Sequence, residues 1–225
     1  MKYRSPFQFV LCGAALAVAA FSAFGQSEET LVNKRPLREL SKRAGKIAEN
    51  GSRPTTPFRI QAKFTLTKDG KIDPNTLEIT KCEGDERMSE IARTSIVAVS
   101  ESGYLQYLTL LSGKTIELDF SQDESSVNAS VASELESETR AASVSTLLSM
   151  AISEFKKKKE RTIAEMRTDP AKALEVLNET DELELLKATK VKSVGTRFVI
   201  QFMASNETAA RLLDKLLAAP ALPEN

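Results

Sequence analysis

The sequence contains no histidine and no tryptophan, and its 225 residues include only three tyrosines and two cysteines. Without an imidazole, neither a Ser-His-Asp nor a Cys-His relay can be assembled, and no His-ligated metal site can form. Three tyrosines leave little aromatic surface on which a sugar ring could stack. Of the cysteines, Cys12 lies in an apolar N-terminal run. Loss of that run leaves Cys82 alone, with no internal disulfide. Cys82 then reads as a buried or idle thiol, the alternative being a thiol that pairs with another chain in an oxidising compartment. An excess of charge is missing too, with 31 basic and 31 acidic residues. General nucleic-acid binding needs a concentrated positive field and is not expected.

What is present begins with an export segment. Lys2 and Arg4 form a positive end, no charge occurs from Phe7 to Gly25, and Ala23 and Gly25 are small residues at −3 and −1 of a cut before Gln26. Positive end, apolar middle and small-residue exit are the parts of a secretory signal. The competing reading is an uncleaved inner-membrane anchor over residues 7–25, a run of about the minimum length that spans a bilayer. Cleavage would place the protein in the periplasm or outside the cell and remove Lys2 and Arg4, leaving a slight negative charge.

Beyond the signal, hydrophobic periodicity predicts an α+β fold: antiparallel sheets with helices packed on one face, in two layers. Residues 26–57 read as a linker around an amphipathic helix, Pro36 to Ala48, with Leu37, Leu40, Ala44 and Ile47 on one side. Its other side carries Arg38, Lys42, Arg43 and Lys46, the candidate contact residues for a protein partner or an anionic lipid surface; a solvated face is the alternative. Phe58 to Leu66 alternates apolar and polar residues as a strand, Lys68-Asp69-Gly70-Lys71 reads as a tight turn, and a second strand is expected at 76–81. Asp85 caps a predicted helix to Ser102, whose inner face is Met88, Ile91, Ala92, Ser95, Ile96 and Val99. The aromatics of Tyr104-Leu105-Gln106-Tyr107-Leu108 are expected to cover the sheet.

Strands at 114–120 and 127–131 follow, then a helix from Glu136 carrying Ala141, Val144, Leu148, Ile152 and Phe155. Lys156 to Lys159 are read as the helix end, where cations suit the dipole, with a polyanion contact as the alternative. A short helix from Asp169-Pro170 to about Asn178, a hairpin around Gly195-Thr196, a helix over 206–218 and a tail over 219–225 complete the pattern. Ser137-Glu138-Thr139-Arg140-Ala141 and Asn206-Glu207-Thr208-Ala209-Ala210 match at an offset of 69 residues, as do Leu147-Leu148 and Leu216-Leu217. This pattern suggests a strand–strand–helix duplication within 113–218, chance reuse of a helix start being the alternative. Asn50, Asn128, Asn178 and Asn206 head Asn-x-Ser/Thr triplets, which are acceptors only in a glycosylating pathway.

The stretch from Phe58 to Phe120 resembles the C-terminal domain of TonB- and TolA-type envelope proteins. The resemblance rests on a strand ending in Thr67-Lys68-Asp69-Gly70-Lys71, a strand at Leu77-Glu78-Ile79-Thr80-Lys81, then Glu83-Gly84-Asp85, a helix with Met88, Ala92 and Ile96, and a last strand after Gly113-Lys114. It implies a non-catalytic periplasmic module over 58–112 that engages an envelope protein, with no cofactor and no metal. Two alternatives stay open. One is a lipid or small-ligand carrier with Phe58, Phe64, Phe120, Phe198 and Phe202 lining a cavity. The other is a hydrolase using paired carboxylates among Asp69, Asp73, Asp85 and Glu86.

Overall fold

A computed structural model describes residues 33, 35–49, 56–103, 105 and 111–218; within these, the side chains of 43–49, 178, 213 and 215–218 lie outside the description. The signal or anchor segment, the tail, Tyr104 and Tyr107 all fall outside the described residues. The fold is α+β, as the periodicity implies. The chain runs α1 (Arg35–Glu49), β1 (Phe58–Thr65), β2 (Glu78–Glu83), α2 (Arg87–Glu101), β3 (Thr115–Gln122), β4 (Ser126–Glu134), α3 (Glu138–Met166), α4 (Ala173–Ala188), β5 (Lys190–Val194), β6 (Arg197–Ser205) and α5 (Asn206–Ala218).

All six strands join one sheet in the order β2-β1-β3-β4-β6-β5, every pair antiparallel. Strand side chains alternate between faces, so the register decides which residues form rows. One row reads Ile60, Phe120, Ala129, Phe202, and the next Ala62, Leu118, Val131, Ile200, Val191. Phenylalanines stand beside alanines, letting large and small side chains interdigitate under the helices. Phe58 and Phe120 add a tilted ring contact at 5.7 Å between centroids. The helices supply Met88, Ile96 and Val99 from α2, Ala141, Val144 and Leu148 from α3, Leu185 from α4 and Ala209 and Leu212 from α5. The alternating phenylalanines that a carrier would need around a cavity, at 58, 64, 120, 198 and 202, are all buried in this core.

β3 pairs along its whole length with β1 on one side and with β4 on the other. The sheet therefore runs unbroken past residue 113, joining the region of the resemblance to the C-terminal strands. α1 sits on α2 through buried Leu37 and Leu40, with the Asn33 amide donating to the Ser102 carbonyl.

Two expectations need correction. Lys156 to Lys159 do not end a helix: α3 continues to Met166. Lys159 lies between Glu179 and Glu182 of α4, and Lys187 of α4 pairs with Glu160, so an antiparallel helix hairpin replaces the terminal-dipole arrangement. The helix expected to stop near Asn178 runs on to Ala188, since Leu183, Leu185 and Leu186 are buried there. The strand, strand, helix order expected in each half of 113–218 is present, as β3-β4-α3 and β5-β6-α5 with α4 between them, but the offset is not constant. β4 and β6 begin 71 residues apart, at Ser126 and Arg197, whereas the capping hydroxyls of α3 and α5, Ser137 and Ser205, are 68 apart. Leu135 to Ser137 separate β4 from its helix, while β6 runs straight into α5.

Gly84, between β2 and α2, has φ +94°, and a Cβ there would lie 2.7 Å from the Pro57 carbonyl oxygen. At Gly113 φ is +72° but nothing lies within 4 Å of an added Cβ. Gly84→Ala should cost about 2–3 kcal/mol in urea unfolding and Gly113→Ala about 1 kcal/mol. Equal costs would remove the role assigned to the Gly84–Pro57 approach.

Candidate interaction surfaces

The helices leave the second face of the sheet bare, and its residues are those that alternate with the core-facing ones. Arg59, Gln61 and Lys63 come from β1, Glu117, Asp119 and Ser121 from β3, Asn128, Ser130 and Ala132 from β4, and Arg197, Gln201 and Met203 from β6. Side chains in diagonal or facing positions are close enough to pair. The Arg59 guanidinium donates two bonds to Asp119, one at 2.9 Å, and the Gln61 amide donates to the same carboxylate at 2.9 Å. Burial pushes the Asp119 carboxyl up, but these hydrogen bonds outweigh it and hold it below the usual range.

A second chain of charges crosses the face. Lys63 pairs with Glu117 at 3.1 Å, Glu117 with Arg197, and Arg197 with Glu134 at 3.4 Å. Glu117 and Arg197 sit on β3 and β6, with β4 between them. Ala132 of β4, directly opposite Glu117, is small enough for the guanidinium to reach across, and it is only 4% exposed although it faces away from the helices. The Arg197 hydrogen bond is the main cause of the lowered Glu117 pKa. Next to these pairs is a polar trough of about 380 Å³, lined by Arg59, Asp119, Ser121, Asn128, Ser130 and Gln201, with Lys190 and Met203 also at its wall. Arg59 and Asp119 are engaged with each other, Lys190 is in no ion pair among the described residues, and the uncharged polar groups are hydroxyls and amides, which suits hydrogen bonding to a partner more than proton transfer.

The sequence-derived candidates are spread over separate parts of the fold. Arg38 is half-buried and engaged in an interaction, Lys42 is exposed, and the side chains of Arg43 and Lys46 lie outside the described residues. Three of the candidate carboxylates serve a local turn or cap: Asp69 accepts from the Thr67 hydroxyl, Asp73 from the Asn75 backbone amide, and Asp85 from the Arg87 backbone amide and guanidinium, while Glu86 stands at the start of α2 without a side-chain cap bond. Cys82 is half-buried, its thiol raised chiefly by burial and donating at 3.7 Å to the Asp85 carbonyl, so it is a poor nucleophile at neutral pH. The Asn206 side chain donates to the Asp123 carbonyl and accepts from Gln122, tying α5 to the β3–β4 turn; the Asn128 amide donates to Ser126. Asn50 lies outside the described residues, as does the Asn178 side chain. Among the described residues no group of three His, Cys, Asp or Glu could hold a metal ion, and no helix is long and apolar enough to cross a membrane.

Sequence reading missed one buried ion pair. Asp181 of α4 is 2% exposed and accepts two hydrogen bonds of 2.6 Å from Arg211 of α5. Removing the guanidinium strands a carboxylate in the helix layer. Arg211→Met should lower stability by about 2–3 kcal/mol, and adding Asp181→Leu should restore most of it in a double-mutant cycle.

Asp123 gives a pH handle. It accepts from the amides and hydroxyls of Ser125 and Ser126 at the β3–β4 turn, and these bonds lower it from the ordinary 3.8 to about 2. Since the folded pKa is depressed, the stabilisation is present above 3.8 and is lost as pH falls toward about 2. Asp123→Asn should therefore flatten the loss of stability across that interval, as followed by thermal melts at stepped pH; an unchanged slope would remove Asp123 as a cause. No protein-family model, curated protein or solved structure matches this chain.

Proposed function

We infer that the protein is an exported, non-catalytic cell-envelope component that works as an interaction module, docking a protein partner on its sheet. The observation that carries this reading is the bare sheet face: six strands wide, polar, with its central charges paired to one another and its hydroxyls and amides open to a partner. A trough of this kind recognises hydrogen-bonding surface and supplies no acid–base pair poised for chemistry.

Two further features support it. The positive end, uncharged run and small-residue exit of residues 1–25 direct the chain to the envelope. Residues 58–122 have the strand, strand, helix, strand order of the TonB- and TolA-type domain that the sequence resembles, as β2-β1-β3 with α2 behind. In this chain, however, the outer edge of β3 is filled by its own β4, which leaves β2 and β5 as the sheet edges. The carrier alternative loses support because its proposed cavity-lining phenylalanines pack in the core. An anionic lipid surface remains a second partner class, with Arg38, Lys42, Arg43 and Lys46 as its contacts.

N-terminal sequencing of the native protein should begin at Gln26, or at residue 1 if the run serves as an anchor. Crosslinking in intact cells should recover a defined envelope protein, and charge reversal at Lys63 together with Arg197 should reduce its yield several-fold. Recovery of the chain in the cytosol with its first residues intact would refute export. Absence of any crosslinked envelope protein would refute the interaction module.

A further inference from the structure

The ladders carry one line of residues straight across the bare face: Gln61, Asp119, Ser130, Gln201 and Lys190, one from each of five neighbouring strands. The two ends of this line differ. At the β1 end, Asp119 is held by Arg59 and Gln61. At the β5 end, Lys190 is exposed and forms no ion pair among the described residues. Neither the Ser130 hydroxyl nor the Gln201 amide has a hydrogen-bond partner among them. With strands about 4.8 Å apart, Ser130, Gln201 and Lys190 stand within about 10 Å of one another. All three line the trough of about 380 Å³.

The wall of the trough defines what fits it. Its charged groups are two cations and one carboxylate, Arg59, Lys190 and Asp119, so one negative charge neutralises it. A phosphate monoester is close to dianionic at neutral pH and overshoots that balance. A carboxylate matches it, and its two oxygens can accept from the Lys190 ammonium, the Gln201 amide and the Ser130 hydroxyl together. Asp119 lies two strands from Gln201, roughly 10 Å away, with its own charge matched by Arg59, so it does not repel the newcomer strongly. Met203, two residues along β6 and 54% exposed, offers apolar surface beside these donors for the stem of a side chain. Sites for free small molecules enclose most of the ligand, whereas this trough stands open above the sheet. A carboxylate presented by a protein gains the rest of its affinity from the face around it.

We propose that Lys190, Gln201 and Ser130 are the anchor of the bare face and receive one acidic side chain, aspartate or glutamate, of the protein partner. The proposal rests on the interaction-module reading and names the group that the sheet recognises. The backbone that carries Lys190 is fixed on two sides. Before it, the buried Thr189 donates its hydroxyl to the Leu185 carbonyl at 2.8 Å; beside it, Gln201 of β6 is its ladder partner. Only the lysine side chain has to be ordered on binding, which keeps the entropic cost small. Lys192 supplies the contrast. It is exposed and likewise in no ion pair among the described residues, but its row continues with Val199 and Ala132, which carry no side-chain donor. An anion beside Lys192 would meet a cation alone.

Carbodiimide coupling in intact cells that express the full chain tests this, because the reagent joins an amine to a carboxylate only where the two touch. Mass spectrometry should find Lys190 joined by an amide bond to an Asp or Glu of a second protein, about tenfold more often than Lys192. A photo-crosslinking residue at Val199, common to all variants, measures the complex without using a lysine. Lys190→Arg should keep the photo-crosslinked complex within about twofold while abolishing the amide adduct, since a guanidinium is charged but not coupled. Lys190→Glu should lower the complex about tenfold. Gln201→Leu and Ser130→Ala should each lower the Lys190 adduct about threefold to tenfold. Lys190 and Gln201 are exposed and Ser130 is partly so, and urea midpoints should stay at the native value.

Equal coupling of Lys190 and Lys192, or a Lys190→Glu chain that captures as much partner as the native one, overturns the assignment. So does a Lys190 adduct that carries a small acid, a glycan uronate or a peptide of this same chain in place of a second protein. A photo-crosslinked complex in which Lys190 carries no adduct refutes the anchor while leaving the interaction module standing. Failure of the native chain to crosslink any envelope protein refutes the module itself.

Discussion

The structure depends on β3. Thr115–Gln122 hydrogen-bonds to β1 along one side and to β4 along the other, and the two ladders share one alternation of side chains. Because a slip of one residue would turn every side chain to the opposite face, the two registers must agree. They do: Ile116, Leu118 and Phe120 enter the core in the same rows as Phe64, Ala62 and Ile60 on one side and Ser133, Val131 and Ala129 on the other. Without this strand there would be a two-stranded ribbon under α1 and α2 and a separate three-stranded sheet under the other helices. Two-stranded ribbons are marginal in water, so the N-terminal half owes its stability to the shared strand.

One consequence is the asymmetry of the two faces. With every helix on one side, the large apolar residues gather there and the other face is left to polar side chains. That face pairs its own charges across strands, at Arg59 with Asp119 and along Lys63, Glu117, Arg197 and Glu134. Exposed pairs of this sort contribute little to stability individually. Their effect is to fix side-chain positions, which leaves a patterned, preorganised surface. β5 departs from the pattern, with Lys190 and Lys192 in no ion pair among the described residues.

The helix layer follows a different logic. α3 and α4 extend as a hairpin held partly by ions, with Lys159 between two glutamates, while α4 and α5 are joined through Arg211 and the buried Asp181. For Lys159, burial works to lower the pKa, and the hydrogen bonds it donates to Glu179 and Glu182 more than offset it. The net shift is upward, so the cation persists in its half-buried place. In the sequence, Lys156 to Lys159 read as cations at a helix end; in the structure the helix continues and Lys159 faces another helix. The difference arises because partners twenty or more residues away on a neighbouring helix leave no mark on local periodicity.

The sequence by itself determined that strands run through Phe58 to Leu66, 114–120, 127–131 and Phe198 to Phe202, and the inner face of α2, because burial on one side imposes a period that local residues must obey. It also determined what chemistry is out of reach, since a missing imidazole is missing in any fold. Only the tertiary structure decided that all six strands form one sheet, that β4 occupies the edge of β3, and that Arg197 reaches Glu117 over Ala132. Each of these is a meeting of segments distant in the chain, governed by register and topology, and a pattern of period two or 3.6 specifies a face without specifying what will lie against it.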